Sequence, residues 1–167
     1  MHVDSVVPWD TALARFRVGL AEPAGLSGGA SSRDALVHAF VDGLERVDTN
    51  TLAHLTVNRA EFAYLYYPTV PEAHPPYDLS PSLMWFMLQG ASRTGLRRVL
   101  EERRGRAGEY LGYTCPEAPS RHGGNAVWGP CLVRWLQAPG DTVVERLFGP
   151  IVEREGVYKF LSFANKL

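Results

Sequence analysis

The stretch TVVERLFGPIVEREGVYKFLSFA, residues 142–164, decides the fold of this chain of 167 residues. It contains two largely apolar, strand-like runs, and the turn Glu153-Arg154-Glu155-Gly156 joins them with a glycine that can supply a positive φ. Helix signals lie upstream, so helices come first and an antiparallel sheet comes last. This order predicts an α+β domain in which N-terminal helices pack against one curved C-terminal sheet that can enclose a pocket.

Length and composition predict one globular domain. Apolar residues make up 46% of the chain and charged residues 21%, which are ordinary values for a globular protein. The net charge of −1 argues against a nucleic-acid partner, because phosphate binding requires an excess of Lys and Arg. No apolar run approaches the ~20 residues of a membrane-spanning helix, so no membrane span is expected. Residues 1–4 lack the character of a signal peptide, but a leader that had been removed would leave the same sequence.

Cys115 and Cys131 are the two cysteines of the chain, and Gly123-Gly124 lies midway between them. If the strand-like runs 108–115 and 127–136 pair antiparallel about that midpoint, Cys115 falls opposite Cys131. Directly opposed residues have Cβ atoms ~4.5–5.5 Å apart, which approaches disulfide geometry. Two independent buried thiols are the alternative. A disulfide would favour a secreted or periplasmic location, which the sequence otherwise leaves open.

Residues 1–32 form a semi-independent segment in this interpretation. Its apolar residues follow helical spacing, with one narrow stripe made of Trp9, Leu13, Phe16 and Leu20. The linker 22–30 follows, is rich in small residues and shows no periodicity. We expect the helix to dock on its own domain rather than on a partner, and we expect residues 33–167 to form that single domain.

Helices are predicted over residues 33–47, 48–55, 59–67 and 81–104. Ser31 with Asp34 resembles a capping pair for the first of them, and Asn58 with Glu61 makes the same signal for the third. Pro68 should end the third helix, because a proline disfavours helical backbone in the residue before it.

The last predicted helix is the longest. Ser80 caps it, Pro81 takes its first position and Gly105 stops it. Its first half, Leu83-Met84-Trp85-Phe86-Met87-Leu88, is apolar all round and should be buried on most sides. Its second half is arginine-rich and mostly polar, so it should emerge into solvent, with an anionic partner or a membrane surface as the alternative.

Four strands should follow, over residues 108–115, 127–136, 142–153 and 157–164, and form one antiparallel sheet. Pro130 and Pro150 interrupt the second and third strands, where we expect a bulge or an unpaired edge.

The helical sequence ALVHAFVDGLERVDT, residues 35–49, followed by Leu52 and Leu55, resembles the opening of the NTF2-like (SnoaL-like) superfamily. The closing strands 143–151 and 157–163 look like the end of that fold, so the resemblance covers about residues 33–167. It implies a cone-shaped, cystatin-like domain whose curved sheet wraps helices around an apolar cavity. Members include dehydratases, isomerases, epoxide hydrolases, cyclases and non-catalytic binding modules, so the fold does not fix the function. The long helix after Pro81 and the proline-rich loop before it depart from the family pattern.

Aromatic residues with one polar atom suit an apolar ligand site, and the candidates are Tyr64, Tyr67, Tyr77 and Trp85. An ordinary core is the competing interpretation. Candidates for acid–base chemistry are Glu61, His74 and Asp78, although Glu61 also completes the capping pair with Asn58 and His74 lies in a proline loop. The five histidines show no metal-binding spacing, and no cofactor or metal is expected.

Two functions remain open from the sequence. The leading hypothesis is a non-catalytic NTF2-like domain that binds a small apolar ligand or a protein partner, as a dimer through its sheet. The alternative is a small cofactor-free lyase, isomerase or hydrolase that uses a carboxylate or histidine together with tyrosines in the cone.

Overall fold

The computed structural model describes residues 7–103 and 108–165 and confirms the α+β class, with helices first and antiparallel strands last. The five helices are α1 (Trp9–Arg17), α2 (Arg33–Arg46), α3 (Thr49–His54), α4 (Arg59–Glu61) and α5 (Pro81–Arg103). The predicted end of α5 at Arg104 and Gly105 lies outside the described residues. No helix in the described part of the chain is long and apolar enough to cross a membrane.

The strands form two sheets, which corrects the prediction of a single four-stranded sheet. The described strands are β1 (Glu109–Thr114), β2 (Ser120–His122), β3 (Asn125–Trp128), β4 (Leu132–Ala138), β5 (Asp141–Glu145), β6 (Ile151–Arg154) and β7 (Val157–Phe160). One sheet has the order β1-β4-β5 and the other has the order β2-β3-β6-β7. All five strand pairs are antiparallel.

Two Gly-Pro pairs divide the predicted strands and pass the chain between the sheets. Gly129-Pro130 separates β3 from β4, and Gly149-Pro150 separates β5 from β6. The two sites face each other, since a Cβ placed on Gly129 would lie 3.2 Å from the Pro150 Cβ. Proline has no backbone N–H to donate within a sheet. The pairing of β4 with β5 therefore stops at these two prolines, and the pairing of β3 with β6 begins beyond them. At Pro130 and Pro150, where a bulge or an unpaired edge was expected, the chain crosses from one sheet to the other.

The four-stranded sheet is the middle layer, because β6 and β7 are buried on both faces. Ile151 and Phe160 point into a first hydrophobic cluster, while Val152 and the following Leu161 point into a second. The outer edge of β7 is paired with upstream chain: Ala30 and Tyr158 exchange both backbone hydrogen bonds, and a single bridge joins Thr56 to Phe160.

The first cluster lies between α2 and the two sheets. Its centre is aromatic: the Phe40 ring lies 5.2 Å from Phe148 and 5.5 Å from both Phe160 and Phe163, measured between ring centroids. Edge-on and tilted rings at these separations are the favoured arrangements for aromatic pairs. The predicted opening of the domain, α2 followed by α3, thus supplies one wall of the core, with Leu52 fully buried.

The second cluster attaches α1 to the rest of the chain, as expected. Leu13 and Phe16 of the predicted stripe are buried, and the Phe16 ring lies 5.7 Å from the Phe62 ring. The Arg17 guanidinium also donates to the Ala63 carbonyl, from Nη2 at 3.0 Å and from Nε at 3.2 Å.

The capping predictions are partly confirmed. Asn58 and Glu61 form a complete capping box at α4. The cap of α2 is Ser32 rather than Ser31: the Ser32 hydroxyl accepts from the Ala35 amide at 3.0 Å. Helical backbone also continues past the predicted stop at Pro68, as a π turn over Phe62–Tyr66 and a 3₁₀ turn over Tyr67–Thr69. Proline fits there because it occupies the first turn of a 3₁₀ segment, where no amide donor is needed.

The burial of α5 differs from the prediction for the first half, of which only one side packs against the second cluster. In the first half Leu83, Phe86 and Met87 are exposed, whereas the second half carries the buried Gly95 and Val99. A Cβ on Gly95 would overlap the Phe163 carbonyl oxygen, so only glycine lets the helix lie this close to the C-terminal segment. The contact of the arginine-rich half with residues 163–165 therefore fixes the helix and leaves one side of its apolar half uncovered.

Candidate functional site

The most exposed group of large apolar side chains on one helix lies on the first half of α5. Leu83 is 48% exposed, Phe86 70% and Met87 55%. Residues spaced by three and four share one side of a helix, so these three side chains form one continuous surface, which we call the α5 apolar face. Gly90 lies one turn further along the same side, and a Cβ placed on it would meet no atom within 4 Å.

Charged residues are confined to the two ends of the α5 apolar face. Residues 79–92 contain no charged side chain. Glu72 and Asp78, both exposed, precede the helix, and the Leu79 amide donates to the Glu72 carbonyl at 2.8 Å, which holds Glu72 near the start of α5. Arg93 and Arg97, also exposed, follow on the helix itself. The face thus has an acidic end and a basic end.

Three of the four predicted ligand-binding residues lie together in the second cluster. The Tyr67 and Trp85 rings lie 5.7 Å and 5.1 Å from the Phe62 ring, and Tyr64 packs against the same cluster. Tyr77, in contrast, is 68% exposed in the loop before α5. Trp85 is half-buried and Phe86 is exposed, so the expectation that both are buried is wrong for Phe86.

The tyrosine hydroxyls of this group already bond to backbone carbonyls. Tyr67 donates to Leu79 at 2.6 Å, and burial raises the pKa of Tyr67, which keeps that hydroxyl protonated. Tyr64 donates to Leu20 at 3.3 Å, and the Arg17 guanidinium lies 4.3 Å from the Tyr64 ring centroid. Both tyrosines therefore hold chain segments together, which is the structural role that an ordinary core requires.

The Glu61 carboxylate is fully buried and receives three hydrogen bonds. Its Oε1 accepts from the Lys159 ammonium at 2.7 Å and from the Asn58 amide at 2.9 Å, and its Oε2 accepts from the Ser27 amide at 2.7 Å. Lys159 is buried as well. This arrangement joins the linker, the start of α4 and β7 at one point. These hydrogen bonds and the countercharge of Lys159 compensate for the burial of the carboxylate.

The other two catalytic candidates, His74 and Asp78, are exposed. The His74 ring stacks on Trp9 at 5.5 Å, and its Nε2 lies 2.9 Å from the Pro68 carbonyl oxygen. Asp78 has a φ of 45°, a left-handed conformation that Asp tolerates better than most residues. His74 and Asp78 lie together, since the Asp78 amide donates to the His74 carbonyl at 3.1 Å, whereas the Glu61 side chain bonds to the linker and to β7.

Three surface clefts are lined by described residues other than the predicted site residues. Clefts of about 240 and 210 Å³ share Arg98 and Asn165 between α5 and the C-terminal segment, and the Arg98 Nη1 donates to the Asn165 Oδ1 at 2.5 Å. A third cleft, of about 360 Å³, lies at the end of the β4–β5 hairpin. Within residues 7–103 and 108–165, no three His, Cys, Asp or Glu side chains gather as ligands for a metal ion.

The predicted cysteine pair is present as a disulfide. The Cys115 and Cys131 sulfurs are 2.08 Å apart. The register agrees with the predicted midpoint, because Thr114 lies opposite Leu132 and Tyr113 lies opposite Val133. The bridge lies where β1 and β4 leave the three-stranded sheet, next to the Gly129-Pro130 crossing.

The α5 apolar face and the buried partner of Glu61 were missed by the sequence reasoning. The apolar run 83–88 has no polar side, so its pattern could not show which side packs and which stays open. Lys159 alternates with Tyr158 and Phe160 on a strand, which is an ordinary pattern for a surface lysine. Comparison with protein-family models, with curated proteins and with solved structures finds no match to this chain. The candidate site therefore rests on the geometry of α5 and its surroundings.

Proposed function

We propose that this chain is a non-catalytic binding domain that holds a protein partner on the α5 apolar face. The observation that carries the proposal is the exposure of Leu83, Phe86 and Met87 as one continuous surface without a charged residue. Exposed apolar side chains that are scattered singly need no explanation, whereas contiguous ones mark interaction sites.

Covering this surface would stabilise a complex appreciably. Burying one Leu, Phe or Met side chain contributes roughly 1.5–3 kcal/mol, so three side chains together contribute several kcal/mol even after allowance for the part already buried. Phe86 is the natural anchor, because it is the largest and the most exposed of the three.

A small apolar ligand is the less favoured occupant. The predicted ligand-binding residues Tyr64 and Tyr67 already donate to the Leu20 and Leu79 carbonyls. The enzymatic alternative gains no specific support either, since the Glu61 carboxylate is saturated by Lys159 and two amides. The NTF2-like resemblance stays a prediction.

Titration with an environment-sensitive apolar dye, in dilute protein, tests where the accessible apolar surface lies. We expect saturable binding that Phe86→Ser weakens. Val144→Ser is the matched control, since Val144 is 53% exposed on β5 and should leave dye binding unchanged. Near-ultraviolet circular dichroism would show that each variant is folded. Dye binding that Tyr64→Ala weakens and Phe86→Ser does not would contradict the proposal and support a ligand site at the tyrosines.

We further propose an oxidising compartment, secreted or periplasmic, because disulfides persist there and are rare in the cytosol. The Cys115–Cys131 bridge supports this location. Intact-mass measurement after alkylation, with and without reductant, should show no modified thiol until the protein is reduced. Two freely alkylated cysteines in protein purified under oxidising conditions would contradict it.

A further inference from the structure

We infer that the partner on the α5 apolar face is a second copy of this chain, with the two α5 helices packed antiparallel about a two-fold axis. The inference rests on the proposed function, since it names the partner for the same surface. It places the dimer contact on a helix, whereas the sequence suggested the sheet. In the four-stranded sheet little surface is available, because β6 and β7 are buried on both faces and the outer edge of β7 is paired with Ala30.

The shape of the face is complementary to itself. A two-fold axis that passes between Phe86 and Met87 sets each of these residues against the other in the second copy. The same axis sets Leu83 opposite Gly90 of the second copy, because both lie three and a half positions from the axis. Leu83 projects from the helix, while the surface above Gly90 is open for at least 4 Å around a Cβ position. Each helix thus offers one projection and one recess at matching places.

The charges at the two ends favour the antiparallel arrangement. Glu72 and Asp78 lie before the helix, and Arg93 and Arg97 lie beyond the apolar residues. None of these four side chains takes part in the ion pairs of the described residues, which are Arg46–Asp42, Arg103–Glu145 and Lys159–Glu61. An antiparallel pair brings each acidic end to a basic end, whereas a parallel pair would bring like charges together. Because the two acidic and two basic residues cancel, the face offers no net attraction to an anionic membrane.

The exposed area is in the range that a weak dimer needs. Large side chains such as Phe and Tyr expose roughly 200 Å² each when uncovered. At the observed exposures, Leu83, Phe86 and Met87 leave roughly 350 Å² open on each copy, or about 700 Å² for the pair. That total lies below the roughly 1,200 Å² at which standard interfaces begin and falls among weak, transient contacts, so we expect a reversible dimer rather than an obligate one.

Sedimentation over a range of protein concentrations tests the inference. The wild-type chain should move from monomer to dimer as the concentration rises, and Phe86→Ser should raise the dissociation constant by about tenfold or more. Val144→Ser should leave the dissociation constant unchanged, because Val144 lies far from the α5 apolar face. Its neighbour Glu145 pairs with Arg103, which lies about 24 Å along α5 from Met87. A monomer at every concentration, or a dimer that Phe86→Ser does not weaken, would overturn the inference.

A charge exchange tests the antiparallel geometry. Glu72→Lys and Arg97→Glu should each weaken the dimer severalfold, because each places like charges opposite one another at both ends. The double variant should recover most of the loss, since opposite charges meet again with their places exchanged. Additive losses in the double variant would overturn the antiparallel pairing. The control chain for this series is Arg46→Glu, which changes an exposed charge on α2.

The inference and the proposed function fail in different ways. A monomer whose dye site is lost in Phe86→Ser would overturn the second copy as the partner and leave the α5 apolar face as a binding surface. A chain in which neither dye binding nor sedimentation responds to Phe86→Ser would overturn both. Flotation with vesicles of phosphatidylserine and phosphatidylcholine adds a third outcome: binding that depends on Phe86, without self-association, would overturn the dimer in favour of a membrane surface.

Discussion

The two hydrophobic clusters on either side of the four-stranded sheet are stabilised in different ways. The first cluster consists of apolar side chains around the rings of Phe40, Phe148, Phe160 and Phe163. The second cluster also contains aromatic rings, but polar side chains lie within it or at its border. The Lys159 ammonium donates to Glu61, and the Asn125 side chain donates to the Leu65 carbonyl at 2.8 Å. The Tyr67 hydroxyl donates to the Leu79 carbonyl. One sheet therefore separates a core with polar side chains such as Asn165 at its border from a core that also contains the buried ion pair of Lys159 and Glu61.

The difference follows from the backbone that each cluster contains. The first cluster is built mainly from α2, α3, α5 and regular strands, whose amides and carbonyls pair with one another. Where its backbone is irregular, Asn165 donates to the Leu147 carbonyl and the Ser92 hydroxyl accepts from the Phe163 amide. The second contains the π and 3₁₀ turns after α4 and the loop before α5. Irregular backbone leaves carbonyls without partners, and a buried carbonyl must be satisfied. Arg17, Asn125 and Tyr67 supply the missing donors.

The largest effect should come from the first cluster. Phe160→Ala removes a fully buried ring that contacts Phe40, Phe148 and Phe163. We expect a loss of about 3–5 kcal/mol in the free energy of unfolding, measured by denaturant titration, because a cavity is added to the lost transfer energy. A loss below about 1 kcal/mol would show that the cluster is not specified by packing.

Breaking the buried ion pair should lower the free energy of unfolding, measured by denaturant titration, by about 3 kcal/mol. Lys159→Met leaves the Glu61 carboxylate buried without its countercharge, which is strongly destabilising. The double variant Lys159→Met with Glu61→Gln should cost less than the lysine change alone, because the unpaired charge is gone. Losses that simply add in this double-mutant cycle would remove the distinction drawn between the clusters.

A single hydrogen bond of the second cluster should contribute less. Tyr67→Phe keeps the ring beside Phe62 and removes the donor to the Leu79 carbonyl. We expect a loss of about 1 kcal/mol by denaturant titration. Amide exchange should also quicken in the loop 71–79. Unchanged stability together with unchanged exchange would mean that water replaces the hydroxyl at no cost.

The smallest effect should come from the α5 apolar face. In dilute protein, Phe86→Ser should change the free energy of unfolding by less than about 0.5 kcal/mol, since the ring is 70% exposed. Its neighbour Trp85 is half-buried against Phe62, so Trp85→Ala should destabilise more. Equal losses at the two positions would place Phe86 in a core.

Local signals in the sequence predicted much of this fold. The spacing of Cys115 and Cys131 about Gly123-Gly124 predicted the β1–β4 register, with a disulfide as one of two alternatives, and the structure contains both the register and the disulfide. The Asn58–Glu61 capping box was also predictable, because its two bonds join residues three apart. In such cases the interacting residues are close in sequence or lie at equal distances on either side of a turn.

The missed features depend on distant residues. Pro130 and Pro150 are each a visible interruption, but only their pairing across one hairpin turns them into a change of sheet. Glu61 was placed correctly in its capping box, whereas its charged partner lies 98 residues away. The uncovered side of α5 depends on the contact of Gly95 with Phe163. The candidate site was therefore beyond the sequence pattern, which showed an apolar helix without showing its packed side.

The disulfide makes the polypeptide a closed ring with two tails. The ring runs from Cys115 to Cys131 and contains the β2–β3 hairpin and the exposed segment Pro116-Glu117-Ala118. One protease cut in that segment opens the ring but leaves both tails covalently joined through the sulfurs. The nicked chain should therefore migrate as one molecule under denaturing, non-reducing electrophoresis and separate into two fragments only after reduction. A protein that carries this ring could lose the continuity of its backbone there without losing either part.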